Sequence, residues 1–145
     1  MTVEELYKQV IDAWNKRDAD AFAALFILDG ETVGFDGTQM TGRGAIAEAL
    51  RAVFASHPTA PYYTKILGVT TVTTDVAVVR AAAGMAKGGK GRLDPSLTAI
   101  QRLTAAQRAG DWRAVLFQTT PAQYHGRPED LAKLTAELQA VADAR

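Results

Sequence analysis

The stretch from Thr98 to Glu129 is the part of the chain that most constrains its fold, because it has the pattern of a long β-hairpin. A run of strand-forming residues from about Ser96 to Arg108 is followed by Ala109-Gly110, and a second run extends from Trp112 to Thr120. Two such runs around a short glycine-containing turn are typical of antiparallel strands joined by a two-residue loop. An irregular, aromatic-rich tail then leads to the last helix.

Helical segments are predicted ahead of the strands. Thr2 and Glu5 have the spacing of a capping box, and the apolar residues after them recur at helical intervals. A second helix is expected to begin at Asp18 or Asp20 and to stop at Asp29-Gly30, because glycine tolerates the left-handed turn that closes a helix. The other predicted elements are a strand at Thr32–Asp36, a helix at Thr41–Pro58, strands at Tyr62–Thr73 and Val76–Met85, and a helix from Pro128. This order predicts one α+β domain spanning residues 1–145.

The composition excludes several classes of protein. The chain has 145 residues, of which 48% are hydrophobic and 22% are charged, as expected for a globular domain. Lys plus Arg equals Asp plus Glu at 16 each, so no excess charge favours nucleic acid or anionic lipid. No cysteine is present, which excludes disulfides, and the longest apolar run is too short to span a bilayer. With no signal-peptide pattern at the N-terminus, we expect a cytoplasmic protein that contacts neither nucleic acid nor membrane.

Several short motifs spread over nearly the whole chain point to one family. They are Ala13-Trp14-Asn15, Asp18-Ala19-Asp20-Ala21-Phe22, Gly42-Arg43-Gly44-Ala45-Ile46, Gly110-Asp111-Trp112-Arg113, Phe117-Gln118-Thr119-Thr120-Pro121 and His125-Gly126-Arg127-Pro128. In this order they resemble the nuclear transport factor 2-like superfamily, in its SnoaL-like, polyketide cyclase-related branch. The resemblance implies a cystatin-like α+β barrel: a curved antiparallel sheet forms a cone around the N-terminal helices, with a C-terminal helix and a pocket at the wide end. It also implies homodimers that pair through the outer face of the sheet, but it does not imply one function.

Pairing across the predicted hairpin places two amides side by side. A two-residue turn pairs Arg108 with Asp111. Continuing the ladder from there sets Gln101 opposite Gln118, on one face of the sheet. The other face bears arginines such as Arg102, so we expect it to be the exterior, because an unpaired charge is costly to bury. Gln101 and Gln118 are therefore predicted to line the pocket, where they either recognise a ligand or satisfy each other.

The best candidate for an acid-base group is Asp36, beside Gly37 at the end of the first predicted strand. Isomerases of the fold that the chain resembles use a carboxylate in an apolar cavity, where desolvation moves its pKa toward the working range. Asp36 would then shuttle a proton next to a carbonyl group. The alternative is a turn residue that hydrogen-bonds its own backbone. No Asp, Glu or His lies inside the long predicted strands, which weakens the case for isomerase chemistry.

Aromatic and histidine side chains complete the predicted site. Helix and strand ends line the pocket mouth in the fold that the chain resembles, so we expect Trp14, Phe54 and Tyr63 to touch it. Tyr124 and His125 lie in the tail, which either folds over the mouth to contact a ligand or serves as a structural plug or dimer contact. The two histidines are far apart and lack a carboxylate at ligand spacing, so neither a metal site nor a cofactor is predicted.

Three functions are compatible with the sequence. The first is a homodimer that binds a small apolar or amphipathic molecule carrying one or two hydrogen-bonding groups. The second is a cofactor-free isomerase, cyclase or dehydratase that acts on a carbonyl compound, with Asp36 as its base. The third is a structural or protein-interaction module whose barrel is packed solid.

Overall fold

The computed structural model describes residues 1–145 and consists of four α-helices and a six-stranded sheet. The helices are α1 (Val3–Asn15), α2 (Ala19–Ala24), α3 (Arg43–Ser56) and α4 (Pro128–Asp143). The strands are β1 (Phe26–Val33), β2 (Gln39–Thr41), β3 (Tyr63–Thr73), β4 (Val76–Gly84), β5 (Ala99–Arg108) and β6 (Asp111–Pro121). Two short 3-10 turns, Lys87–Gly89 and Pro95–Leu97, lie between β4 and β5. None of the helices combines the length and the apolar character needed to cross a membrane.

The sheet is curved and not closed, with strand order β2-β1-β6-β5-β4-β3. Neighbouring strands are antiparallel except for β1 and β6, which run parallel. The predicted α+β architecture with a curved sheet is confirmed. The parallel pair was not predicted. Parallel strands need a long connection, and here α3 and four strands, β2 to β5, separate β1 from β6 along the chain.

Helices cover both faces of the sheet, but unequally. The main core lies between α1, α2 and α3 and the inner face, where Leu6, Tyr7 and Val10 of α1 pack in one buried cluster with Val79 and Leu103. Helix α4 packs on the opposite face. A smaller buried cluster there joins its apolar side chains to the outer side of β4 and to the loop after it. The members of that cluster are Ala82, Ala86, Leu93, Ala122, Leu134 and Leu138. The larger part of the core therefore lies on the inner face.

The N-terminus of α1 is capped by the residues that the sequence predicts. The Thr2 hydroxyl accepts a hydrogen bond from the Glu5 amide at 3.1 Å, and the Glu5 carboxylate accepts one from the Thr2 amide at 2.8 Å. This reciprocal pair satisfies two backbone donors that a helix start would otherwise leave without partners. The predicted capping box is confirmed.

The segment after α2 departs from the prediction. Asp29-Gly30 was expected to close a helix, but α2 ends at Ala24 and the chain enters β1 at Phe26. Gly30 lies inside this strand, where the pairing of β1 with β6 is irregular. A Cβ at Gly30 would sit 3.0 Å from Cδ2 of Phe26, so the glycine leaves room for a buried ring. The strand predicted at Thr32–Asp36 overlaps β1 only at Thr32 and Val33, because β1 begins six residues earlier and ends at Val33.

The β5–β6 hairpin confirms the predicted turn but not the predicted amide pair. Ala109 and Gly110 have φ values of 53° and 78°, as a two-residue turn of the I′ type requires. Arg108 lies opposite Asp111, as predicted, but the register shifts between Thr104 and Ala105. After this bulge Gln101 lies opposite Thr119, and Gln118 lies opposite Arg102 on the outer face. The placement of Gln118 beside Gln101 was therefore wrong, because one extra residue in β6 reverses which side chains face inward.

Candidate functional site

A cavity of about 440 Å³ lies between the inner face of the sheet and the helices. Its walls come from α1, α2 and α3, from the end of β1 and the turn after it, and from β6. Eleven of its 16 lining residues are hydrophobic. Five of them are aromatic: Trp14, Phe22, Phe35, Tyr62 and Phe117. The site is a mostly apolar chamber of the size that small-molecule sites usually have.

Hydrogen bonds hold the aromatic wall in place. The Trp14 indole donates to the Ala60 carbonyl at 3.2 Å, and its ring lies 5.6 Å from the ring of Tyr62. The Asn15 side chain bonds both backbone groups of Tyr62, at 2.8 and 3.0 Å. Phe22 and Phe117 meet across the cavity floor with ring centroids 6.2 Å apart. Because α1 presents Trp14 and Asn15 one after the other, its C-terminal end fixes the segment that enters β3.

Few polar groups face this chamber, and one of them lacks a partner. The Thr32 side chain on β1 is only 4% exposed, and its Oγ1 makes no hydrogen bond. Thr119 on β6 accepts a hydrogen bond from the Gln101 amide at 3.3 Å. Burial raises the pKa of Tyr62 to about 12, so its phenol stays protonated at neutral pH. The chamber therefore offers neutral hydroxyl groups to whatever it holds.

Asp36 is the only charged residue that lines the cavity, and it lies at the exposed rim. Its Oδ1 accepts a hydrogen bond from the Thr38 amide at 2.9 Å. Hydrogen bonds from Thr38 hold the pKa of the Asp36 carboxyl below its ordinary value. Asp36 is thus ionised at neutral pH, and it has the local geometry of a turn aspartate.

A second depression, of about 390 Å³, lies between α1 and β3. It is lined largely by polar and charged groups, including Lys8, Asp12 and Arg145. It has one aromatic residue, Tyr7, whose hydroxyl is already bonded to Gln101. We take the aromatic chamber as the candidate site, because only it combines apolar walls with an unpaired buried hydroxyl.

The structure does not bring the two amides and the carboxylate of the predicted site together. Trp14 and Asp36 both line the cavity. Gln101 faces inward but is fully buried, and its Oε1 accepts a hydrogen bond from the Tyr7 hydroxyl at 2.5 Å. Gln118 lies on the outer face, away from the cavity. Gln101 therefore has a packing role beneath the cavity wall.

The other predicted aromatic residues and the histidine do not line the cavity. Phe54 packs behind Trp14, with ring centroids 5.3 Å apart. Tyr63 and Tyr124 pack against the cluster under α4, on the outer side of the sheet, and His125 is exposed in the adjoining turn. The tail therefore lies against α4, on the outer side of the sheet, and does not line the chamber. A ligand role for these residues has no geometric support.

Sequence reasoning missed most of the lining, including Thr32, Thr119 and Phe117, together with Met85 and Leu97 from the loop between β4 and β5. Phe117 and Thr119 flank Gln118, so the predicted ladder, which turned Gln118 inward, put them on the outer face; the bulge turns them to the inner face. Met85 and Leu97 are apolar residues at the two ends of a glycine-rich loop, which is a weak signal for a cavity wall.

No group of three or more His, Asp or Glu side chains comes together in a way that could hold a metal ion. The two histidines lie outside the cavity, and its one carboxylate has no second carboxylate beside it. The arrangement can exclude water, bind an apolar body and offer hydroxyl groups to a polar substituent.

Comparison with known proteins identifies relatives of the whole architecture. A family model described as a SnoaL-like domain matches residues 3–115. A cystatin-like domain of unknown function from Nostoc punctiforme superposes with a TM-score of 0.76 at 20% identity, covering 98% of this chain and 90% of that one. None of the curated proteins matches the chain.

Two further solved structures have the same fold. A nuclear transport factor 2-like protein with a cystatin-like fold from Novosphingobium aromaticivorans has a TM-score of 0.67 at 25% identity, covering 89% of this chain and 85% of that one. A ketosteroid isomerase-like protein from Erwinia carotovora atroseptica has a TM-score of 0.64 at 22% identity, covering 83% and 93%. At such identities the likeness shows the fold alone.

Proposed function

The chain belongs to the family of SnoaL-like domains, and from that premise we propose that it binds a small, mostly apolar molecule in the aromatic chamber. This fold carries both ligand-binding proteins and isomerase- or cyclase-type enzymes, so the choice between them depends on the side chains in the site.

The unpartnered Thr32 hydroxyl is the observation that carries the proposal. Leaving a buried hydroxyl without a hydrogen bond costs about 1–3 kcal/mol. Thr32 lies in the wall of an apolar chamber, where a ligand with a hydroxyl or carbonyl group would remove that cost. The hydrophobic and aromatic walls would contribute the larger part of the binding energy through burial of the ligand's apolar surface. Such a chamber also speaks against a barrel packed solid for a structural role.

Catalysis has weaker support than binding. A general base works best when its pKa lies near the working pH and it is screened from bulk water. Asp36 is exposed, and hydrogen bonds from Thr38 lower the pKa of its carboxyl. Both features make it a weak base for proton abstraction next to a carbonyl. An isomerase, cyclase or dehydratase that uses Asp36 would need a different environment for this carboxylate.

Filling the chamber tests the binding proposal. Val53 on α3 lines the cavity, whereas its neighbour Ala52 is exposed on the same helix. We expect Val53→Phe to lower the affinity for 2-naphthol at least about tenfold, since the added ring takes up ligand space. Ala52→Phe is the matched control and should bind like the wild type. Isothermal titration calorimetry with the neutral probe measures both.

The role of Thr32 has its own pair of probes. Thr32→Val keeps the side-chain shape and removes the hydroxyl. We expect it to weaken binding of 2-naphthol about three- to tenfold, the value of one hydrogen bond, and to leave naphthalene binding unchanged. If Val53→Phe binds 2-naphthol as well as the wild type does, the chamber is not the site. Absence of saturable binding to either probe would also overturn the proposal.

We propose in addition that a second copy of this chain covers part of the outer sheet face. Helix α4 leaves Val78, Thr104 and Leu116 uncovered there, on adjacent strands and half-buried at most. Leu28, on the neighbouring strand β1, is 76% exposed. A formal net charge of +0 leaves little long-range repulsion between copies. Sedimentation equilibrium across a wide concentration range should give a dimer, and Leu116→Glu should give a monomer. A wild-type monomer throughout would overturn this proposal.

A further inference from the structure

We propose that the chamber selects apolar amines that are protonated at neutral pH over neutral and anionic molecules of the same shape. This inference rests on the proposed binding function and names the chemical class of the ligand. The ammonium group would lie at the rim beside Asp36, and the apolar body would lie against the aromatic wall.

The charge of the cavity wall is the first ground for expecting a cationic ligand. Asp36 is the single ionisable residue of the lining with a charge at neutral pH, and no Lys, Arg or His faces the cavity. A carboxylate or phosphate ligand would therefore lose its hydration without gaining a cationic partner, and it would lie near a like charge. A cationic ligand would instead meet a counter-ion at the entrance.

The aromatic lining is the second ground, because ring faces favour a cation over an anion wherever the ammonium group comes within reach of them. Aromatic ring faces carry partial negative charge and attract cations that lie within about 6 Å of the ring centroid. Trp14, the ring type that binds cations best, is held by its hydrogen bond to the Ala60 carbonyl. It meets Tyr62 at an interplanar angle of 41°, and both rings line the cavity.

The position of Asp36 is the third ground. The bond from the Thr38 amide fixes its carboxylate at the rim. A ligand that contacts both groups would place its ammonium group by the exposed Asp36 and a hydroxyl or carbonyl group by the buried Thr32, with its apolar body against the aromatic wall. The ligand class is thus an amphiphilic amine with an apolar or aromatic body.

Three probes of one shape test the inference: 1-naphthylmethylamine, 1-naphthylmethanol and 1-naphthoic acid. At neutral pH and low salt we expect the amine to bind about fivefold or more tighter than the alcohol, and the acid to bind weakest. Added salt should reduce the preference for the amine, because the pair with Asp36 is exposed to solvent. Calorimetry of the wild-type protein with each probe measures these ratios.

Asp36→Asn isolates the carboxylate, because the amide keeps an oxygen for the Thr38 bond. We expect it to lower the amine's affinity severalfold and to leave the alcohol's affinity unchanged. Asp29→Asn, on an exposed residue of β1 outside the cavity, is the matched control and should change neither. Equal affinities of amine and alcohol in the wild type would overturn the inference while leaving the binding function in place. Failure of all three probes to bind would overturn both.

Discussion

The buried pair of Tyr7 and Gln101 allows a quantitative test of how this core is held. Both residues are fully buried, and the Tyr7 hydroxyl donates to the Gln101 side chain at 2.5 Å. The amide of Gln101 also donates to Thr119 at 3.3 Å. These bonds connect α1, β5 and β6 through the centre of the main core, directly beneath the candidate site.

Removing one partner should cost more than removing both. Tyr7→Phe leaves the Gln101 carbonyl oxygen buried without a donor, and Gln101→Leu leaves the Tyr7 hydroxyl without its acceptor. Each buried polar group left without a partner costs about 1–3 kcal/mol, so we expect each single variant to lose about 2 kcal/mol of unfolding free energy. The double variant contains neither of these unpaired groups. Its loss should therefore be smaller than the sum of the two single losses, by about 1 kcal/mol or more.

Urea denaturation followed by tryptophan fluorescence and far-ultraviolet circular dichroism measures these losses. For a chain of this length, a loss of 2 kcal/mol corresponds to a fall in Tm of about 4–8 °C. Equal m values across the variants would show that the same surface unfolds in each. Strictly additive losses, or a Tyr7→Phe variant as stable as the wild type, would refute the reasoning that the pair is a buried, mutually dependent hydrogen bond.

Two further predictions concern the titration of the Tyr62 phenol and the hydrogen bond between Gln139 and Leu93. Burial raises the pKa of Tyr62 from 10.0 to about 12, so its contribution to stability is complete below pH 10 and is lost as the pH rises to 12. Between pH 10 and 12, Tyr62→Phe should reduce the fall of the unfolding free energy with pH by up to about 1.4 kcal/mol per pH unit. Urea denaturation at a series of pH values measures this slope, and the same slope in the variant and the wild type would contradict the prediction. Gln139 on α4 accepts a hydrogen bond from the Leu93 amide at 2.8 Å in the loop between β4 and β5. Gln139→Leu should speed hydrogen exchange at Leu93, whereas Lys133→Gln, at an exposed position of α4, should leave that exchange unchanged.

Local rules predicted the elements whose stability is local. The capping box at Thr2 and Glu5 needs only residues within one helical turn, and both of its bonds form. The hairpin turn at Ala109-Gly110 likewise depends on the backbone freedom of two residues. The motifs around these elements were sufficient to indicate the family that the domain comparison then identified.

The glycine at position 30 shows where a local rule fails. Glycine after a helical segment is a common C-terminal cap, so the pattern favoured a helix end at Asp29-Gly30. The glycine is needed, but for close approach to Phe26 within β1. The two uses of glycine look the same in a sequence, because both depend on the missing Cβ. Only the partner strand β6 distinguishes them.

The sequence by itself determined the α+β class and the central hairpin, and two of the residues it singled out, Trp14 and Asp36, lie in the cavity wall. The tertiary structure decided which polar groups face the chamber. One extra residue in β6 turns Phe117 inward, where it packs against Phe22, and sends Gln118 to the outer face. A bulge of this kind forms because burying a ring on the core side stabilises the fold more than burying an amide does. That balance involves residues far apart in the chain, so no local pattern reveals it.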